Sequence, residues 1–363
     1  METMDSPKIY IEPLGITRGL TASADNFRTL QNSKTYYSTL KIIFKRENNI
    51  EEEIIPVHML KDFLSAQSVD DKKVILSLLE NLGRARVPLE LKGRLTINFE
   101  QPIIQGVLNM TPDSFSDDGV FDDFSAAIDR SERMIENGAM IIDVGGESTK
   151  PGAKAVSHEE ELNRVIPVIE KLAYKNIPIS IDSRNSQVMQ SALNAGAHII
   201  NDVSALEHDV LSVEVAKEAD VPIILMHAQG PPETMQENPE YKCVHLDIYD
   251  YLEERINFCV KNGIAKEKII IDPGIGFGKT VDHNLQILNH IALFHSLGVP
   301  ILIGVSRKSF IGKISGEETA SNRVHGSISA AQYCLDRGIQ IIRVHDVKET
   351  KQAISIWNNI VSI

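Results

Sequence analysis

The chain predicts an α/β fold: a TIM (β/α)8 barrel over residues 101–363, carrying a small N-terminal α/β extension over residues 1–100. Three observations predict it. Eight short β-branched runs alternate with helical segments across about 260 residues, the count and span of such a barrel. The runs are almost continuously Ile, Val and Leu, as strands buried on both faces of a parallel sheet must be. Nearly every run ends on a polar residue, whereas an open doubly wound sheet concentrates its chemistry at one Gly-rich switch point.

In chain order the predicted strands are 103–108 (IIQGVL), 140–144 (MIIDV), 178–182 (PISID), 198–203 (HIINDV), 222–227 (PIILMH), 268–272 (KIIID), 300–305 (PILIGV) and 340–345 (QIIRVH). Amphipathic spacing predicts helices between them over 125–137, 159–175, 188–195, 210–219, 245–262 and 321–337. Gly138, Gly196, Gly263, Gly298 and Gly338 each follow a helical stretch, where a chain leaving a helix turns left-handed. In the extension, 39–44 and 54–57 read as strands, 70–82 as a helix and 23–33 as a turn-rich start. The alternation in 95–99 (LTINF) predicts a strand that caps the barrel bottom. No constellation in the extension carries chemistry.

Composition narrows the function. Hydrophobic content of 42% and charged content of 24% are those of a soluble globular protein. A net charge of −13 disfavours nucleic acid, whose phosphates need a basic face. The opening METMDSPKIYIEPLG lacks a basic segment followed by an apolar core, so no signal peptide is expected. No apolar run reaches the roughly 18–20 residues that span a bilayer. Cys243, Cys259 and Cys334 are scattered, with no CxxC, which predicts free thiols in a reducing cytoplasm.

Barrel enzymes carry their chemistry at the C-terminal strand ends. Here those ends offer Asn109, Asp143 with the loop GGEST, Asp182, Asn201 with Asp202, Met226 with His227, Asp272, Ser306-Arg307-Lys308, and Arg343 with His345. A single buried Asp or Asn is more often a satisfied core residue, but a ring of them points to a site. Asp182, Asn201 and Asp272 suit the donor–acceptor edge of a flat heterocycle such as an amino-pyrimidinone. Lys308, Arg343 and His345 come from the last two strands, where barrels build phosphate sites. Asn109 offers an oxygen for Mg²⁺, with phosphate oxygens and water completing the octahedron.

Two signals pull elsewhere. PGIGFGKT (273–280) fits the phosphate-loop pattern GxxxxGK[ST] except for Pro273 at its first position, and no partner strand offers the second motif of a nucleotide hydrolase. Its glycines are better read as allowing backbone and Phe277 to approach a flat ligand. His227 is either a strand-end base or a neutral core histidine, the commoner case. His158, His208, His283, His290 and His295 have no metal-ligand spacing.

Eight motifs in order resemble the dihydropteroate synthases of the folate pathway: LNMTPDSFSDDG (108–119), DVGGESTKPGA (143–153), IDS (181–183), INDVSAL (200–206), MHAQG (226–230), DPGIGFGK (272–279), GVSRKSFIG (304–312) and RVHDV (343–347). The resemblance covers about residues 101–363. It implies condensation of (7,8-dihydropterin-6-yl)methyl diphosphate with 4-aminobenzoate, giving 7,8-dihydropteroate and pyrophosphate, in an SN1-like step with Mg²⁺. It implies that Thr149, Asp182, Asn201, Met226, Asp272, Phe277, Lys308, Arg343 and His345 bind the pterin diphosphate, with Mg²⁺ on Asn109. Phe115 and Asp117 would close over the reacting methylene and join Lys308, Arg343 and His345 as the catalytic set. Phe115, Pro151, Lys308 and Ser309 would form the aminobenzoate pocket. A cytoplasmic homodimer and sulfonamide inhibition are further implications.

Two residues depart from the family pattern. Lys150 stands where Arg is usual, keeping charge but losing the bidentate fork, and Asp118 stands where a flexible Gly is usual. Two other classes compete: a pterin-binding protein without catalysis, and a barrel resembling methyltetrahydrofolate:corrinoid methyltransferases. Neither needs the phosphate-type residues Lys308, Arg343 and His345 together.

Overall fold

The computed structural model describes residues 6–19, 26–31, 33–47, 49–111, 124–148, 156–230 and 234–361. Eight parallel strands form its main sheet: Ile103–Asn109, Ile141–Gly145, Ile179–Asp182, Ile199–Asp202, Ile223–Met226, Ile269–Asp272, Leu302–Ile303 and Ile341–Val344. The first six pair in sequence, and the eighth lies between the first and the seventh. One parallel bridge, Ile271 to Ile301, joins the sixth strand to the seventh and closes the barrel.

The seventh strand is shorter than the predicted 300–305. Pro300 has no N–H, although its carbonyl accepts from Ile271 N at 3.0 Å. The Ile301 N–H donates to the side-chain oxygen of Gln340 at 2.7 Å, so a side chain replaces part of the ladder there.

The barrel's lower interior is an aliphatic layer containing Ile103, Ile141, Ile199, Ile224, Ile270 and Ile341. Leu89, Leu91 and Ile97 from the extension pack beneath it. They sit on or beside a two-stranded ribbon, Leu89–Glu90 with Thr96–Ile97, which seals the bottom. Each fully buried side chain of this kind contributes about 1.5–3 kcal/mol. This aliphatic floor leaves the strand-end acids and amides at the opposite end of the barrel.

The predicted helices appear as Phe124–Glu136, His158–Leu172, Ser186–Ala195, Ser212–Ala219, Val244–Lys261 and Val324–Asp336. Three further helices, Val281–Asn289, Ser309–Ser315 and Val347–Val361, lie outside the predicted segments. The first of these starts at Thr280, whose hydroxyl accepts from His283 N, while the His283 side chain accepts from the Thr280 N–H.

In the extension, Lys8–Leu14, Thr39–Arg46 and Asn49–Pro56 form an antiparallel sheet with Thr39–Arg46 central. Only the tail of the third strand, 54–57, stands out in the sequence, because Glu51, Glu52 and Glu53 make its start wholly exposed. Alternation sorts the sheet's faces. Ile9, Ile11, Leu40, Ile42 and Phe44 pack with Ile75, Leu78, Leu79 and Leu82, which lie on the helix Val69–Gly83. Tyr10 and Ile43 join the barrel's own core. The Tyr10 ring meets Tyr249 edge-on at 5.2 Å, and its hydroxyl donates to Asp250 at 2.8 Å. The predicted turn-rich 23–33 contains a short strand, Arg28–Leu30, paired with Thr35–Tyr37.

Candidate active site

Parallel register decides which strand ends meet. Asn109 lies beside Gly145, Gly145 beside Asp182, and Asp182 beside Asn201. Met226 lies beside Asp272. A Cβ on Gly145 would lie 3.4 Å from Asp182 Cβ and 3.5 Å from Asn109 Oδ1, in ordinary contact with both.

Beneath the ring runs a buried polar network centred on Asp143, which is fully buried. Its carboxylate accepts from the Ser180 hydroxyl, from Asn201 Nδ2 at 3.2 Å and from Arg343 Nε at 2.6 Å. Gln105 Nε2 in turn donates to Ser180 at 2.9 Å. Arg343 Nη2 donates to Asp182 Oδ2 at 2.6 Å, so one guanidinium spans two carboxylates. With its amide nitrogen committed to Asp143, Asn201 keeps its carbonyl oxygen as an acceptor. Asp182 Oδ1 is buried and has no hydrogen-bond partner among the described residues.

Burial pushes the Asp182 carboxyl up to about 7, against the pull of Arg343. Burial also raises Asp272, whose Oδ1 accepts from Gly274 N at 2.8 Å. For Arg343, burial opposes the charge, but Asp143 and Asp182 outweigh it and hold the guanidinium above its ordinary value.

Lys308 and His345 stand on the turns after the last two strands. Lys308 Nζ lies 4.1 Å from the centre of the Phe277 ring and makes no hydrogen bond to a described residue. Burial lowers it to about 8, with Asp272 opposing and Arg343 reinforcing the shift. His345 Nδ1 lies 3.1 Å from the Ser306 hydroxyl. Burial first, then Arg307, Arg343, Arg130 and Lys308, draws this imidazole well below its ordinary value. A neutral histidine ringed by four cations marks a locus of positive potential. Arg307, whose own backbone is left-handed (φ 57), is held by Asp346 at 2.6 Å.

The structure thus brings together Asn109, Asp182, Asn201, Met226, Asp272, Phe277, Lys308, Arg343 and His345 at one end of the barrel. Ser309 is exposed at the start of the helix Ser309–Ser315. Phe115, Asp117, Thr149 and Pro151, with the departures Asp118 and Lys150, lie outside the described residues. The base of the second loop is described. Arg184 grips the Glu147 carboxylate through Nε and Nη2, each at 2.9 Å, and Arg164 donates to the Gly146 carbonyl at 2.7 Å.

Sequence reasoning missed the hub role of Asp143 and the parts played by Gln105 and Ser180. Polar residues inside apolar strand runs were the available signal, but their pairing depends on register, which no single strand reveals. Among the described residues, no group of three or more His, Cys, Asp or Glu is placed to hold a metal ion. None of the described helices is long and apolar enough to cross a membrane.

Comparisons with known proteins point to one family. The family model described as "Pterin binding enzyme" matches residues 105–345. The dihydropteroate synthase of Neisseria meningitidis serogroup B is 47% identical over 270 residues, covering 73% of this chain and 95% of that protein. The Escherichia coli K12 dihydropteroate synthase is 46% identical over 262 residues, covering 72% and 92%. Among solved structures, Yersinia pestis dihydropteroate synthase in a sulfonamide drug complex matches with a TM-score of 0.73 at 42% identity, covering 76% of this chain and all of that one. Xanthomonas albilineans dihydropteroate synthase with 4-aminobenzoic acid gives 0.71 at 41%, covering 76% and 98%.

Proposed function

The chain belongs to the pterin binding enzymes, and within them to the dihydropteroate synthases; from that premise we propose how its residues carry the reaction. It is a transferase that joins the methylene of (7,8-dihydropterin-6-yl)methyl diphosphate to the amine of 4-aminobenzoate. The methylene C–O bond breaks, a C–N bond forms, pyrophosphate leaves and the amine loses a proton.

One observation supports the residue assignment: acceptors with bonding capacity to spare gather with cationic side chains at the same end of the barrel. Asp182 Oδ1 is a buried orphan, Asn201 keeps its carbonyl, and Asp272 has one carboxylate oxygen beyond the Gly274 contact. Three acceptors suit the amino and ring N–H donors of a pterin's pyrimidinone edge. Met226 is buried beside them, and Phe277 offers a flat face. Near them stand Lys308, Arg343 and His345, which would hold the diphosphate and stabilise the charge that grows on it as it leaves. Thr149 and the first-loop pair Phe115 and Asp117 would complete the enclosure, with Pro151 and Ser309 flanking the aminobenzoate.

The residues present fit Mg²⁺ brought in with the diphosphate. The Asn109 amide makes no hydrogen bond to a described residue and supplies one hard oxygen, and Mg²⁺ is usually held by one or two protein oxygens plus phosphates and water. When bound, the ion neutralises charge on the leaving group. The pterin-methyl cation left by C–O cleavage is delocalised over the heterocycle, so the weakly basic aromatic amine can capture it. Loop closure would keep water from competing. We read the protein as a cytoplasmic homodimer.

The test is direct. Purified protein, pterin diphosphate, 4-aminobenzoate and Mg²⁺ should release pyrophosphate in step with dihydropteroate. Pyrophosphate without dihydropteroate would mean a hydrolase, and neither product would mean a binding protein.

A further inference from the structure

The glycine loop after the sixth strand carries a lysine that the reaction, as assigned above, does not use. Lys279 occupies the position of a phosphate-loop lysine, yet it points into the protein and is 4% exposed. Its Nζ lies 2.9 Å from the Phe277 carbonyl, 3.3 Å from the His227 carbonyl and 2.9 Å from His227 Nδ1. The loop is pressed hard against that neighbouring strand end. A Cβ on Gly274 (φ 71) would fall 1.8 Å from the His227 carbonyl oxygen, and one on Gly278 would fall 2.7 Å from that of Gln229.

We infer that Lys279 is a positioning residue for the pterin site, tying the Phe277 platform and the Asp272 turn to the end of the fifth strand. The two flanking carbonyls are tethered too, Gly276 by Gln236 at 2.6 Å and Gly278 by the Tyr241 hydroxyl at 2.7 Å. Lys279 holds the one between them, on the residue whose ring underlies Lys308. Burial draws the Lys279 amine and the His227 imidazole each well below its ordinary value. The tether works in either protonation state. An ammonium donates to all three acceptors; an amine donates to both carbonyls while a neutral imidazole's Nδ1–H donates to its lone pair. The motif that looks like a phosphate cradle is therefore a brace.

The inference rests on the assignment of Asp272 and Phe277 to the pterin, so the experiment separates the two. Lys279→Met keeps the volume and removes the donors. It should raise KM for pterin diphosphate about tenfold, the effect of losing two buried tethers, while KM for 4-aminobenzoate stays within about twofold. Tyr241→Phe removes one hydroxyl without disturbing packing and should raise the same KM about threefold. If Lys279→Met lowers kcat with both KM values unchanged, or Tyr241→Phe leaves the pterin KM untouched, the bracing role is overturned. If Lys279→Met does not fold, Tyr241→Phe decides alone. Asp272→Asn is the control: an unchanged pterin KM there refutes the pterin assignment, whereas a raised one with no effect of the loop variants refutes only the brace.

Discussion

The carboxylates of the second, third and sixth strands lie among hydrogen bonds from Ser180, Asn201, Arg343 and Gly274, whereas Lys308 and His345 stand on turns with few partners. The acid wall is fixed by its own network before any ligand arrives. The cation wall is not: burial weakens its charges, bringing Lys308 to about 8 and His345 well below its usual value. The acid wall supplies geometry, although burial brings its Asp182 to about 7, and the cation wall supplies charge that responds to pH and to an arriving anion. Arg343 belongs to both, with Nε and Nη2 spent on Asp143 and Asp182.

Removing that shared residue should break the comparison most severely. Arg343→Met leaves Asp143, which is fully buried, and Asp182, nearly so, without their cation. Breaking a buried pair by deleting one partner costs about 3–5 kcal/mol. Losing a preorganised donor at a developing charge costs about a hundredfold or more in turnover. Denaturant melts and steady-state rates should therefore fall together. A variant with lost turnover but unchanged stability would show that Arg343 serves the leaving group alone.

A smaller change should touch only the acid wall. Asn201→Ala removes one pterin acceptor and one donor to Asp143, leaving the cations intact. KM for pterin diphosphate should rise about tenfold while KM for 4-aminobenzoate holds. Equal rises in both constants would mean that Asn201 does not act on the pterin substrate alone.

The same division explains what was legible in the sequence. Asp182, Asn201, Asp272, Arg343 and His345 stand out because each interrupts an apolar run where a barrel strand ends. Asp143 is equally visible in MIIDV, yet its role as an internal anchor depends on Ser180 and Asn201 arriving at the same height, which register alone decides. Gln105 hides inside IIQGVL, where a strand interior reads as core. Lys279 was visible but misleading, because its motif suggests a phosphate and only the fold turns it inward. In the extension, Lys8–Leu14 went unmarked because Glu12 and Pro13 interrupt its alternation; Glu12 is buried against His290 at 2.9 Å.

The finest test follows the cation wall through pH. Lys308 is an ammonium below about 8 and an amine above it, since burial outweighs the support of Asp272. If its charge holds the diphosphate, kcat/KM for pterin diphosphate should fall as pH rises through about 8. Lys308→Arg keeps a charge at every accessible pH, so that basic limb should vanish even though the planar fork fits the site less well and lowers the plateau. Asp272→Asn removes a carboxylate that favours the ammonium, so the limb should move to lower pH. The two variants push the limb in opposite directions, which no general loss of folding could imitate. A limb that stays in place in Lys308→Arg would assign the titration to another group and leave the cation wall without its pH dependence.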